Sequence, residues 1–134
     1  MIVMNLREID RLIAEKVMGW RLKSFAGAAG GFTAWVNDVG KIVKYENDCT
    51  LHVHQYDFWR PTINIADAWQ VVNKIKEKRF SIRERFIDEL QKEVTPEETR
   101  NRGNLVDKRW MIFLMTPKDI CLAALKAYGI EVEI

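Results

Sequence analysis

His52 and His54 stand two residues apart in "TLHVHQY", and strand alternation puts both imidazoles on one face, where two ligands can meet one metal. Asp48, Cys49 or Asp57 could supply a third ligand, and the chemistry would be metal-assisted phosphodiester cleavage. The surrounding spacing, however, follows no established metal site, and strand surfaces often carry solvated histidines. Cys49 beside His52 or His54 is a conceivable nucleophilic dyad, with no elbow or oxyanion hole signalled around it. "GAAGG" lacks the Lys-Ser/Thr that completes a phosphate-binding loop and reads as a connector. No catalytic residue, metal or cofactor is therefore assigned.

A second set of residues suits binding better than catalysis. Trp20, Trp35, Trp59 and Trp110 are spread along the chain, and Arg21, Arg60 and Arg109 lie directly beside three of them. Indole faces stack on nucleobases, and guanidinium forks pair with phosphates. The structural alternative is that Trp at element ends seals a core while the adjacent Arg reaches solvent. As ligand-binding candidates the sequence offers Trp20, Arg21, Trp59, Arg60, Arg109 and Trp110. Trp59 and Arg60 precede a helix instead of lying on its apolar stripe. Alanine at either is expected to leave folding nearly intact, while helix amides near Asn64 add to Arg60 in attracting a phosphate.

The 134 residues suit one domain able to bury about two thirds of the surface its unfolded chain exposes. A net charge of +2 gives no general pull toward nucleic acid, and "KIKEKR", "RER" and "RNR" interleave with acids as solvated faces do. Cys49 and Cys121 are too few for a disulfide framework. No stretch reaches the length of a membrane span, so a cytoplasmic protein is expected.

The elements that must position these residues announce themselves by period and caps. "NLREIDRLIAEKVMG" places Leu6, Ile9, Leu12, Ile13 and Val17 on one helical face, with Asn5 and Glu8 as a capping box and Gly19 as the stop. "TAWV" and "KIVKY" flank the turn residues "NDVG" as a hairpin, and "TLHVHQY" alternates as a further strand. Pro61 precedes a helix capped by Asn64 or Thr62, with Ile65, Ala68, Trp69, Val72 and Ile75 on its apolar stripe, so Trp69 is expected in the core. "SIRERFIDELQKEV" carries a Ser81/Glu84 capping box, and "TPKDICLAALKAYG" has Thr116 as cap, Pro117 at the first position and Gly129 as terminator. "TPEETRNRGNLVDKR" reads as a solvated connection. "WMIFLM", apolar throughout, is expected to be a central strand, and "IEVEI" a last one. The whole predicts an α/β three-layer sandwich: helices at 5–18, 64–78, 81–94 and 117–128 on a mainly antiparallel sheet containing 110–115.

"LREIDRLIAEKVMGW", "NIADAWQVVNKI" and "WMIFLMTPKDICLAALKAYGIEVE", in that order and across nearly the whole chain, resemble the phage ABA sandwich domain family of bacteriophages and prophages of Gram-positive bacteria. The resemblance implies an α-β-α sandwich and a phage accessory protein working in the host cytoplasm. On that footing the expected function is non-enzymatic binding, sequestering a nucleotide-derived host immune signal such as a cyclic oligonucleotide or a cyclic ADP-ribose product. The alternatives are a protein-interaction module that inhibits a host factor and the His52/His54 phosphodiesterase. Expected partners are a nucleotide-derived small molecule and other copies of the chain, without nucleic acid or membrane.

Overall fold

A computed structural model of the chain describes residues 2–26, 31–46 and 58–133. The described elements run β1 (Ile2–Val3), α1 (Leu6–Lys16), β2 (Arg21–Phe25), β3 (Phe32–Val36), β4 (Ile42–Tyr45), α2 (Ile65–Lys76), α3 (Phe80–Val94), α4 (Glu97–Asn101), a 3-10 turn (Lys108–Trp110), α5 (Met111–Leu114), α6 (Pro117–Ala127) and β5 (Val132–Glu133). The strand read from "TLHVHQY" lies outside the described residues.

Local chemistry sets most of these boundaries. The Asn5 side chain accepts the Glu8 amide at 2.9 Å and starts α1. Gly19, at φ +74°, turns the chain after it in a conformation that a side chain would strain. Strands β2, β3 and β4 form an antiparallel sheet in that order. The β3–β4 hairpin closes on the Asn37 carboxamide, which accepts the Val39 and Lys41 amides at 3.2 and 2.9 Å. β1 and β5 form a separate parallel pair.

The fold is α/β with its main sheet antiparallel, as the sequence implies, and has six α-helices among the described residues instead of about four. The two extra helices, α4 and α5, are short and fall in the stretch between α3 and α6. The centre belongs to α6, where Ile120, Cys121, Ala123, Ala124, Leu125 and Ala127 are all fully buried. Its small residues let α1, α2 and α3 pack against it from several sides. Thr116 and Asp119 cap it reciprocally, with Pro117 in the first turn.

Three expectations are corrected. "WMIFLM" is not a strand: Asp107 accepts the Arg109 amide at 2.9 Å and caps a 3-10 turn that runs into α5. Of that stretch Met111 is buried, while Trp110, Ile112, Phe113 and Leu114 are exposed. An unbroken apolar run of this length fits a helical turn as well as a strand. Helix α3 begins at Phe80 and is capped by no side chain, so Ser81 and Glu84 form no capping box.

The third correction concerns Trp69, which is 37% exposed. The buried stripe of α2 is Asp67, Ala68, Val71 and Ile75, because Asp67 turns inward and rotates Ile65 and Trp69 toward water. Trp69→Ala is accordingly expected to lower stability by about 1–2 kcal/mol, less than a fully buried indole would. Urea unfolding measures this, and a loss twice as large would return Trp69 to the core.

Candidate functional site

Three buried carboxylates, Asp10 on α1, Glu46 after β4 and Asp67 on α2, organise the region around the 58–64 turn. Asp10 Oδ1 accepts the Thr62 amide at 2.8 Å, and its main-chain oxygen accepts the Trp59 indole N–H at 2.9 Å. Asp67 Oδ2 accepts the Arg60 amide at 2.9 Å, while its Oδ1 faces the Lys44 ammonium at 3.0 Å as an ion pair without hydrogen-bond alignment. Glu46 accepts the Trp35 indole N–H at 2.8 Å and Arg11 Nε at 2.9 Å, with Arg7 at 3.6 Å. Glu46 and Asp67 are thus paired with cations, and Asp10 is held by the Thr62 amide.

Burial pushes the Asp10 carboxyl up to about 7, with the Thr62 amide and side chain pulling the other way and the charges of Asp67 and Glu46 adding to the rise. Burial likewise holds the Cys121 thiol well above its usual range, with Asp10 and Asp67 contributing. A shallow cleft of about 190 Å³ opens over Asp10, Glu46 and Thr62, with Arg7 and Arg60 beside it.

The aromatic and basic residues read from the sequence divide between places. Trp20 and Trp59 meet edge to face, centroids 4.7 Å apart at 69°. The Arg60 guanidinium lies 5.5 Å from the Phe58 ring centroid. Trp59 itself is only 3% exposed and belongs to the core, against the expectation that its loss would leave folding intact. Its indole N–H is satisfied by α1, and the ring packs at the edge of that cleft. Trp35 is fully buried. Arg21 points outward on β2. Arg109 and Trp110 sit on the 3-10 turn, with Arg109 forked onto Asp107 and Trp110 against Phe113 at 5.7 Å. His52, His54, Cys49, Asp48 and Asp57 lie outside the described residues. Among the described residues no group of His, Cys, Asp and Glu is arranged to hold a metal.

Sequence reasoning missed two places. Asp10 and Asp67 occupy helical stripes with Ala14 and Val17, and with Val71, and a charge in such a stripe was the available signal for a buried acid. The second is a pocket of about 510 Å³ lined by Glu77, Lys78, Arg79, Ile82, Arg85 and Tyr128. It joins the start of α3 to the end of α6, and no local pattern links segments so far apart. The Tyr128 hydroxyl is buried there without a hydrogen-bond partner.

A helix-rich α/β domain built on a small antiparallel sheet, with buried carboxylates beneath an open cleft, is the class that fold and site define. The family model for the phage ABA sandwich domain matches residues 11–125, and the chain belongs to that family. Searches of curated proteins and of solved structures give no match. No helix among the described residues is long and apolar enough to cross a membrane.

Proposed function

We propose that the chain is a phage accessory protein that binds, without chemical change, a nucleotide-derived signal in the pocket between α3 and α6. The observation that carries the reading is the start of α3. That helix of 15 residues has no side-chain cap and no acid in its first turn, and Lys78, Arg79, Arg83 and Arg85 surround its first turn and a half. A helix N-terminus exposes unsatisfied amides and positive dipole, and acids ordinarily sit there. Basic residues in their place repel the dipole unless an anion bridges them. The pocket has the volume of a small-molecule site, and the Tyr128 hydroxyl offers a donor for a base or ribose.

Calorimetric titration against cyclic di- and trinucleotides and ADP-ribose derivatives tests this. One ligand class is expected to bind, and Arg79→Ala or Arg85→Ala to weaken it about tenfold or more each, the worth of a charge-assisted hydrogen bond. Absence of heat for every member overturns the reading, and release of an altered ligand makes the protein an enzyme.

A second reading, a protein-interaction module acting on a host factor, is favoured by the ridge Trp110, Ile112, Phe113 and Leu114, exposed to 60, 60, 75 and 48%. The ridge is held firmly from behind. Thr95 Oγ1 accepts the Val106 amide at 3.0 Å, Gln91 donates to the Val106 carbonyl at 2.8 Å, and Lys108 pairs with Asp88. Rigidly displayed apolar side chains mark interaction surfaces. A photo-crosslinking residue at Phe113 is expected to give a discrete adduct with a second protein in infected cells, and one at Lys16 none. A bare Phe113 lane sinks this alternative.

A further inference from the structure

The apolar ridge at 110–114 and the α3–α6 pocket use different parts of α3. Asp88, Gln91 and Thr95 prop the ridge from the later half of that helix and its end, whereas the pocket opens at Arg79, Ile82 and Arg85 near its start. The two faces are therefore separate. Helix α5 is four residues long and buries only Met111, so Trp110, Ile112, Phe113 and Leu114 stand out to solvent around it. The Trp110 and Phe113 rings touch, centroids 5.7 Å apart. With half or more of each side chain uncovered, the four leave about 400 Å² of apolar surface in one patch, taking about 200 Å² for a whole aromatic and somewhat less for an aliphatic. A patch of that size on a soluble chain is often a contact site.

We infer that the ridge binds the same ridge of a second copy of this chain across a two-fold axis. The charges around it decide the choice of occupant. Asp107 pairs with Arg109, Asp88 with Lys108 and Glu98 with Arg102, each pair inside one chain. Glu97 and Arg100 complete the rim, so segment 97–110 together with Asp88 carries four acids and four bases. A rim that sums to zero gives an anionic membrane or a nucleic acid no electrostatic hold, and it selects neither an acidic nor a basic protein. It also lets two identical faces approach without net repulsion, which a two-fold contact requires because each rim meets its own copy. Two ridges together cover about 800 Å² of apolar area, and the aliphatic stems of Lys108 and Arg109 bring the contact to about the 1,000 Å² at which specific interfaces begin. The result is a weak dimer that associates by apolar burial. This occupant differs from the host factor of the second reading, and the nucleotide reading does not depend on it.

Sedimentation equilibrium of the purified chain is expected to show reversible dimers with a dissociation constant of about 10–100 μM, the weak end of specific association. That constant should change little between about 0.1 and 1 M salt, because no ion pair crosses the interface. Phe113→Glu is expected to raise it at least about tenfold and to melt where the wild type does, since the ring it replaces stands in solvent. Ile112→Lys, of opposite charge on the same face, is expected to do the same, while Val39→Glu on the exposed β3–β4 turn leaves association unchanged. A photo-crosslinking residue at Phe113 in the purified protein should give a band at twice the mass of the chain. The proposal is overturned by a monomer at every concentration up to about 500 μM, by dimers that survive both ridge substitutions, by dimers that salt dissolves, or by a Phe113 adduct that forms only with a different protein. Should one ridge variant not fold, the other decides. In each of these outcomes calorimetry at the α3–α6 pocket still tests the nucleotide reading by itself.

Discussion

Trp59→Ala is expected to remove about 3–5 kcal/mol of folding stability, the usual loss when a large aromatic is cut from a close-packed interior. The ring is 3% exposed, touches Trp20 edge to face at 4.7 Å, and seats the turn against α1 through its indole N–H at 2.9 Å from the Asp10 carbonyl. Its own amide also reaches the Tyr45 carbonyl at 3.0 Å, so one residue ties α1, β4 and the turn. Trp59→Phe keeps most of the packing and drops the N–H, which should lower stability by about 1–2 kcal/mol, the worth of one buried hydrogen bond. Chemical denaturation of both variants measures the pair. An alanine variant within about 1 kcal/mol of wild type would put the indole back at the surface, where a stacking role is open to it.

The elements most legible in the sequence were those whose ends are written in side-chain chemistry. Asn5 with Glu8, Asn37 before Gly40, and Thr116-Pro117 with Asp119 each satisfy backbone groups locally, so tertiary context had nothing to override. "WMIFLM" was not legible, because four to six apolar residues carry no period. The phase of α2 was misread by one position. A single inward carboxylate, Asp67, trades Trp69 for Val71 on the buried side, and its partners Lys44 and the Arg60 amide are remote in sequence. The same reasoning applies to the sites. Trp20, Trp59 and Arg60 were expected to act together and are neighbours, yet the indole that was to stack on a base is consumed by packing. The pocket at Arg79 and Tyr128 depends on α3 and α6 lying side by side, for which the sequence offers only two apolar stripes.

Asp10 should make stability fall as pH rises from weakly acidic to neutral. Its carboxyl is raised from 3.8 to about 7 in the folded chain, so between those values the native state holds a proton that the unfolded state has released. The favourable contribution is complete below about pH 4, declines as pH rises and is lost through about pH 7. Above that both states are ionised and the slope vanishes. A displacement of about three pKa units corresponds to at most about 4 kcal/mol, and relaxation around the cleft makes the measurable effect smaller. Asp10→Asn keeps an oxygen for the Thr62 amide at 2.8 Å and cannot ionise. Unfolding of wild type and variant should therefore be compared at matched pH. Glu46, Asp67 and both histidines are common to the two proteins, so their titrations cancel in the difference to first order, leaving Asp10. The wild type is expected to lose ground to Asp10→Asn steadily between about pH 4 and pH 7 and to run parallel to it above. Parallel curves across the whole range would mean that the cleft leaves Asp10 as well solvated as a surface acid.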